Sequence, residues 1–84
     1  MTREEVYKLI DGERKYQDEK WGATGRSISD AKTSVAAWIV YMEHHLQQAK
    51  NSIYYLKEMG ALDEIRKVAA LAAACMEHNE TSPR

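Results

Sequence analysis

The chain has 84 residues, of which 44% are hydrophobic and 30% are charged. This balance is typical of one small folded domain and is too apolar for a disordered segment. Twelve Lys and Arg against thirteen Asp and Glu leave a formal charge of -1. This charge disfavours non-specific electrostatic binding to extended nucleic acid or anionic lipid, but it is compatible with a local basic pocket.

Cysteine content and hydropathy point to a cytoplasmic protein. Cys75 has no partner for an internal disulfide and predicts a buried thiol in a reducing compartment. No apolar run reaches the roughly 20 residues that span a bilayer, and residues 1–5 are unlike a signal peptide. We therefore expect one domain over residues 1–84, without membrane contact.

The first segment predicts a helix over residues 2–19. Thr2 followed by Glu5 is a capping-box pattern, and apolar residues recur behind it at roughly helical spacing. Gly12 is a weak point in the middle, because glycine inside a helix costs about 1 kcal/mol relative to alanine. A polar stretch follows this segment.

The second segment has the clearest periodicity of the chain. Ser29 or Asp30 is expected to cap this helix, and Gly60 to take the left-handed position just after it. The apolar residues between them step by three and four, close to a heptad seam, and are Val35, Trp38, Ile39, Met42, Leu46, Ala49, Ile53 and Leu56.

The third segment repeats this signal. Its alanine-rich middle permits close approach of another helix, and residues 79–84 are expected to form a frayed tail. Strand signals are absent, so the pattern predicts an all-α, three-helix chain. The apolar residues of the segment are Leu62, Ile65, Val68, Ala69, Ala72, Cys75 and Met76.

Helix 2 is apolar well beyond one narrow stripe. Three helices of this size barely enclose a core, and a chain with more apolar helix surface than it can cover tends to pair with copies of itself. We therefore expect a homodimer or a higher assembly. The residues that broaden the apolar face are Ala36, Ala37, Val40, Tyr41, Tyr54 and Tyr55.

The densest polar constellation lies on helices 2 and 3. Spacing by four puts His44 and Gln48 on one face, beside His45, and spacing by three puts Glu64 and Lys67 on one face of the next helix. Where those faces meet, the bundle is expected to hold a polar pocket. A histidine pair alone is most often solvated, and zinc needs a third and fourth ligand, so we predict no metal site.

A second constellation lies around Trp21. It is either a charged helix end followed by a loop or a ligand site in which a base stacks on the indole. In the second case Arg14, Lys20 and Arg26 hold phosphate oxygens. The sequence predicts no catalytic residue, because Cys75 lies in an apolar segment without a neighbouring cation to activate it.

Three segments of the chain resemble small phage-encoded MazG-like proteins. They are Glu13-Arg14-x-x-Gln17-x-x-Lys20-Trp21-Gly22, Trp38-Ile39-x-x-Met42 and Glu64-Ile65-Arg66-Lys67-Val68-Ala69-Ala70. The resemblance covers most of the chain and implies an all-α nucleoside triphosphate pyrophosphohydrolase scaffold, a helical bundle completed by oligomerisation. Active members of the family cleave nucleoside triphosphates to monophosphate and pyrophosphate. Their Mg²⁺ is held by a Glu-Glu-x-x-Glu motif and a later Glu-x-x-Asp motif.

Carried onto this chain, the resemblance implies an altered metal centre. The first motif falls on His44, His45 and Gln48, and the second on Glu64 and Lys67. Only Glu64 keeps a carboxylate, so four of the five expected carboxylates are replaced. Because Mg²⁺ prefers oxygen ligands, and Lys67 adds a positive charge, the resemblance implies a cavity that binds phosphate without activating water.

We therefore expect a phage-encoded, non-hydrolytic protein that needs no cofactor, binds a nucleotide or cyclic nucleotide and sequesters a host defence messenger. The base of the bound nucleotide stacks on Trp21 and on Tyr41 or Tyr54. One alternative is a divergent pyrophosphohydrolase that uses Mg²⁺ through three acidic residues. Another is a helical protein-protein adaptor that docks through the apolar face of helix 2. The acidic residues of the enzyme alternative are Glu43, Asp63 and Glu64.

Overall fold

The computed structural model describes residues 1–23 and 33–84. Within these ranges the chain forms three α-helices and no strand, so the predicted all-α, three-helix organisation is confirmed there. None of these helices is long and apolar enough to cross a membrane. The helices are α1 over Arg3–Ala23, α2 over Val35–Tyr54 and α3 over Glu58–His78.

The start of α1 follows the capping-box prediction. Thr2 Oγ1 accepts a hydrogen bond from the Glu5 backbone N–H, and Glu5 Oε1 accepts one from the Thr2 N–H, both at 3.2 Å. The helix continues through Gly12 and ends at Ala23, so its predicted end at residue 19 is too early.

The start of α2 is capped by a serine. Ser34 Oγ accepts a hydrogen bond from the backbone N–H of Ala37 at 3.1 Å, which satisfies one of the free donors at a helix start. The cap we expected, Ser29 or Asp30, lies outside the described residues.

The turn between α2 and α3 does not use Gly60 as its left-handed residue, so that prediction is wrong. Leu56 takes this position, with φ 58°. Its N–H donates to the carbonyl of Ile53 at 2.9 Å, and the N–H of Lys57 donates to the carbonyl of Ser52 at 2.8 Å. This pair of bonds is the Schellman arrangement, and it closes α2 one turn before the glycine.

Gly60 instead lies inside α3, where it allows a close approach. A Cβ at this position would lie 3.1 Å from the Oγ of Ser52. The start of α3 therefore rests directly against the end of α2, and the two helices run antiparallel.

The core lies where α3 packs between α1 and α2. Trp38 is only 1% exposed and forms the centre of the core. Cys75, predicted as buried, is half-buried at the edge of this cluster. The core consists of Trp38, Leu71 and Ala74, with Trp21, Met42 and Cys75 packed against it.

The buried stripe of α2 is displaced from the predicted seam. Val35, Ile39, Leu46 and Ile53 are 43–53% exposed, and Leu56 is 90% exposed. Two apolar rows lie side by side on α2, and only one can face α3 within a single chain. Trp38, Met42 and Ala49 of the predicted seam are buried or half-buried, and the further contacts with α3 come from His45 and Ser52.

Candidate functional site

A polar cluster of His45, Glu64 and Lys67 joins α2 to α3. His45 Nδ1 lies 2.7 Å from Glu64 Oε2, and Lys67 Nζ donates to Glu64 Oε1 at 3.2 Å. An ionised carboxylate can only accept, so His45 Nδ1 carries the proton. The side chain of Glu64 is 17% exposed, against 29% for His45 and 38% for Lys67. The carboxylate is thus covered while the two nitrogen-bearing side chains reach solvent.

The electrostatics of this cluster keep Glu64 ionised. Burial disfavours the charged form, but the hydrogen bonds from His45 and Lys67 outweigh it and hold the pKa of Glu64 below its ordinary value. Both carboxylate oxygens are therefore engaged at neutral pH.

These residues do not fit a magnesium ion. Mg²⁺ requires several oxygen ligands in near-octahedral geometry, whereas each oxygen of Glu64 already accepts a hydrogen bond. Asp63 is bound to Arg66 at 3.0 Å, and Glu43 is exposed. In residues 1–23 and 33–84, no group of three or more acidic, histidine or cysteine side chains is placed to hold a metal.

The structure brings together only part of the predicted pocket. His45, Glu64 and Lys67 meet, but His44 and Gln48, which we expected on the face toward α3, are exposed. The physical reason is the displaced register of α2, which turns His45 rather than His44 toward α3.

Of the two tyrosines expected to stack on a base, Tyr41 lies beside the cluster. It precedes His45 by one helical turn, so the two side chains share a face of α2. Its ring is half exposed and meets Trp38 edge-on, with centroids 6.1 Å apart. Tyr54 is 80% exposed and lies at the far end of α2, edge-on to Tyr55.

Arg14, predicted as a phosphate ligand, forms instead a tie between α1 and α3. Its Nε and Nη2 donate to Glu77 Oε1 and Oε2 at 3.1 and 2.6 Å, and its Nη1 donates to Gln17 Oε1 at 3.3 Å. Asp18 adds an ion pair at 3.1 Å. Arg14 is only 7% exposed. A phosphate would therefore have to displace Glu77 to reach its guanidinium group.

The Arg14–Glu77 pair stabilises the charged form of both side chains. The hydrogen bond to Glu77 raises the pKa of Arg14 despite its burial, and the same bond lowers the pKa of Glu77. Bidentate pairs of this kind are among the stronger charge-assisted hydrogen bonds.

The remaining residues of the Trp21 constellation lie at the end of α1. The Trp21 ring is tilted against Trp38 with centroids 6.2 Å apart, and the Arg14 Cζ lies 5.9 Å from its centroid. Trp21 is thus partly buried at the core rather than fully open for stacking. Lys20 is exposed on the same helix, and Arg26 lies outside the described residues.

Sequence reasoning missed a second tie between α1 and α3. Arg66 Nε donates to Glu13 Oε1 at 2.8 Å, and its Nη1 donates to Asp63 Oδ1 at 3.0 Å. The bond to Glu13 raises the pKa of Arg66. Only the spacing of Asp63 and Arg66 by three carried a local signal of this tie.

The core also contains a donor without an acceptor. The indole Nε1 of Trp38 is buried and has no hydrogen-bond partner among the described residues. An unmet buried donor costs about 1–3 kcal/mol.

Comparison of the chain with protein-family models, curated proteins and solved structures finds no match. The likeness to MazG-like proteins therefore remains a prediction that depends on the residues quoted above.

Proposed function

We propose that this protein binds a nucleotide or a nucleotide-derived signal without hydrolysing it, at the His45–Glu64–Lys67 cluster. One observation carries the proposal. The single carboxylate retained at the expected metal positions has both oxygens bound by nitrogen donors. A cluster of this kind offers hydrogen-bond donors to an anion and leaves no free oxygen ligands for a metal.

The donors of the cluster suit a phosphate group. Lys67 has three ammonium hydrogens, of which one is used by Glu64. The bond to Glu64 fixes the orientation of the His45 ring, and Nε2, which carries no proton in this tautomer, can accept a hydrogen bond from a ligand. Their exposure, 29% for His45 and 38% for Lys67, leaves both accessible to an incoming ligand.

Tyr41 supplies an aromatic surface within reach of this phosphate site. Its ring is half exposed and is braced on one side by Trp38. A base that stacks on Tyr41 would place its phosphate toward His45, one helical turn away. Gln48, which is exposed and lies three residues after His45, can hydrogen-bond the base or the sugar.

The wider proposal follows the MazG-like resemblance. The protein is a phage-encoded, self-associating member of that group, resident in the host cytoplasm, and sequesters a nucleotide messenger of host defence. Support for self-association comes from the many half-exposed apolar side chains of α2 and α3.

Thermal shift with purified protein in EDTA tests the binding proposal. We expect one or more members of a panel of nucleoside triphosphates and cyclic dinucleotides, at millimolar concentration, to raise Tm by several degrees. Lys67→Gln should weaken the binding of that ligand about tenfold or more. Lys15→Gln is the matched control, since Lys15 also pairs with a carboxylate, Asp11 at 3.0 Å, but on α1. A panel without any shift above one degree would contradict binding.

The enzyme alternative has a separate readout. Pyrophosphate release from nucleoside triphosphates with Mg²⁺ or Mn²⁺, lost in Glu64→Ala, would replace the binding proposal by hydrolysis. We expect no release, because the acidic candidates Asp63 and Glu64 are both engaged by cations.

The adaptor alternative is supported by the half-exposed apolar row of α2. It is distinguished by variants of the polar residues. An adaptor would keep its partner when Lys67→Glu is introduced, whereas nucleotide binding should not survive this reversal of charge.

A further inference from the structure

The two ring nitrogens of His45 have different roles in the His45–Glu64–Lys67 cluster. Burial of Glu64 is outweighed by the bonds from His45 and Lys67, so its pKa lies below the ordinary value and its carboxylate is ionised. Nδ1 of His45, 2.7 Å from Oε2 of Glu64, therefore carries the proton of the neutral ring. The second nitrogen of a neutral imidazole is an acceptor, so Nε2 offers a lone pair.

Nε2 of His45 is also accessible. The side chain is 29% exposed, and within residues 1–23 and 33–84 its ring is hydrogen-bonded through Nδ1 alone. In the same ranges, Nε1 of Trp38 is the only buried side-chain nitrogen or oxygen without a hydrogen-bond partner. Nε2 is therefore not sealed in the core, and a ligand at the cluster can reach it.

The lone pair of Nε2 selects the kind of ligand group that lies against it. Phosphate oxygens accept hydrogen bonds at neutral pH, so a phosphate facing Nε2 would bring two acceptors together without a proton between them. Lys67 has only donors, one of which binds Glu64 at 3.2 Å, and it carries a positive charge. The cluster therefore suits a ligand that places an anion at Lys67 and a hydrogen-bond donor at His45.

A nucleotide has two kinds of donor, the hydroxyls of its sugar and the N–H groups of its base. In the proposed arrangement the base stacks on the half-exposed ring of Tyr41, and the phosphate binds Lys67. The sugar connects these two parts. Because His45 lies one helical turn from Tyr41 and shares a carboxylate with Lys67, the sugar is the part of the ligand that lies nearest Nε2.

We propose that Nε2 of His45 accepts a hydrogen bond from a sugar hydroxyl of the bound nucleotide, while Lys67 binds the phosphate. The inference rests on the proposed function and adds the ligand class, a nucleotide with a hydroxylated sugar. It makes His45 the residue that determines this preference. Glu64 is a positioning residue, which touches no ligand group and holds the proton of His45 on Nδ1.

Isothermal titration calorimetry in EDTA tests the preference, at about pH 8, above the ordinary range of histidine titration. The probes are the four ribonucleoside triphosphates and cyclic di-GMP, each compared with its analogue that lacks the free sugar hydroxyls. We expect every probe that binds to lose about fivefold in affinity without them, the effect of one hydrogen bond at a partly exposed site. Forms that lack one hydroxyl then identify which hydroxyl is bound.

Three variants separate a direct contact from an effect on structure. His45→Phe keeps an aromatic ring but has no acceptor, so the affinity ratio between each probe and its analogue should fall below about twofold. Lys67→Gln should weaken both members of a pair and keep the ratio. His44→Phe, at the adjacent exposed histidine, is the matched control and should also keep it. Circular dichroism reports whether each variant is folded.

Nitrogen NMR of the imidazole rings tests the tautomer in the unaltered protein, without any ligand. We expect the proton of His45 on Nδ1 at about pH 8. Glu64→Ala should remove this preference, because the hydrogen bond made by one ring nitrogen decides which nitrogen is protonated. A proton on Nε2 in the unaltered protein would overturn the inference.

The outcomes separate the specificity from the function. Analogues without sugar hydroxyls that bind as tightly as the unmodified probes would overturn the inference and leave the binding proposal intact. Absence of binding by every probe would overturn both. An unchanged ratio in His45→Phe would assign the hydroxyl to another residue. Weaker binding of inosine triphosphate than of GTP, with no effect of the sugar hydroxyls, would assign Nε2 to the amino group of the base instead.

Discussion

Two ion-pair clusters in this protein have similar members and opposite arrangements. In the first, the cation is covered, since the side chain of Arg14 is 8% exposed, and its carboxylates on Asp18 and Glu77 are 62% and 52% exposed. In the second, the carboxylate of Glu64 is covered, and its partners His45 and Lys67 are more exposed. Both clusters join helices, but the first directs its positive charge inward, whereas the second leaves the ammonium group of Lys67 more exposed.

The largest expected effect is on stability in the first cluster. Arg14→Ala removes the bidentate tie between α1 and α3 and leaves a gap beside Trp21, so we expect the free energy of unfolding to fall by about 2–3 kcal/mol. Chemical denaturation measures this change. Lys15→Ala is the neighbouring control. It should lower the free energy of unfolding by less than about 1 kcal/mol, because the pair of Lys15 with Asp11 is exposed. Equal losses in the two variants would remove the distinction between the clusters.

Acid unfolding compares the carboxylates of the two clusters. The pKa values of Glu77 and Glu64 are both below the ordinary value of 4.5, so their stabilising effect is present above that pH and is lost as the pH falls through the lowered pKa. Glu77→Gln and Glu64→Gln should each destabilise the protein at pH 7 and make stability fall less steeply below pH 4.5. We expect the larger change for Glu77→Gln, since its partner is the buried guanidinium.

Denaturation midpoints measured between pH 3 and pH 7 (about the ordinary range of carboxylate titration) check this prediction. A variant whose stability falls with acid as steeply as the unaltered protein would show that its carboxylate does not gain from its partner. Self-association is held constant by working at one protein concentration.

The smallest expected effect lies at the rim of the first cluster. Asp18→Asn removes an exposed partner of Arg14 while both bonds to Glu77 remain. The free energy of unfolding should change by no more than about 0.5 kcal/mol. A loss comparable to that of Arg14→Ala would mean that Asp18, rather than Glu77, holds the guanidinium in place.

Local signals in the sequence predicted the helices well. The capping box of Thr2 and Glu5 depends on neighbours in the chain, and so do the apolar repeats that mark each helix. The left-handed turn at Leu56 was not predictable in the same way, because the glycine expected there serves a different need, the close contact with Ser52.

Contacts between distant residues explain the remaining differences. Arg14 was interpreted as a phosphate ligand because its partner Glu77 lies 63 positions away, beyond any periodic pattern. The register of α2 was also ambiguous, since His44 and His45 are adjacent and two apolar rows flank them. Only the packing against α3 decides which histidine meets Glu64.

The short connection at Leu56 also bears on how the chain folds. It brings α2 and α3 together over a small loop, so the loss of chain entropy on closing that loop is low. The ties from α1 to α3 instead close loops of 53 and 63 positions. We therefore expect the α2–α3 hairpin to form early and α1 to dock last, so that local opening of the native protein begins with release of α1.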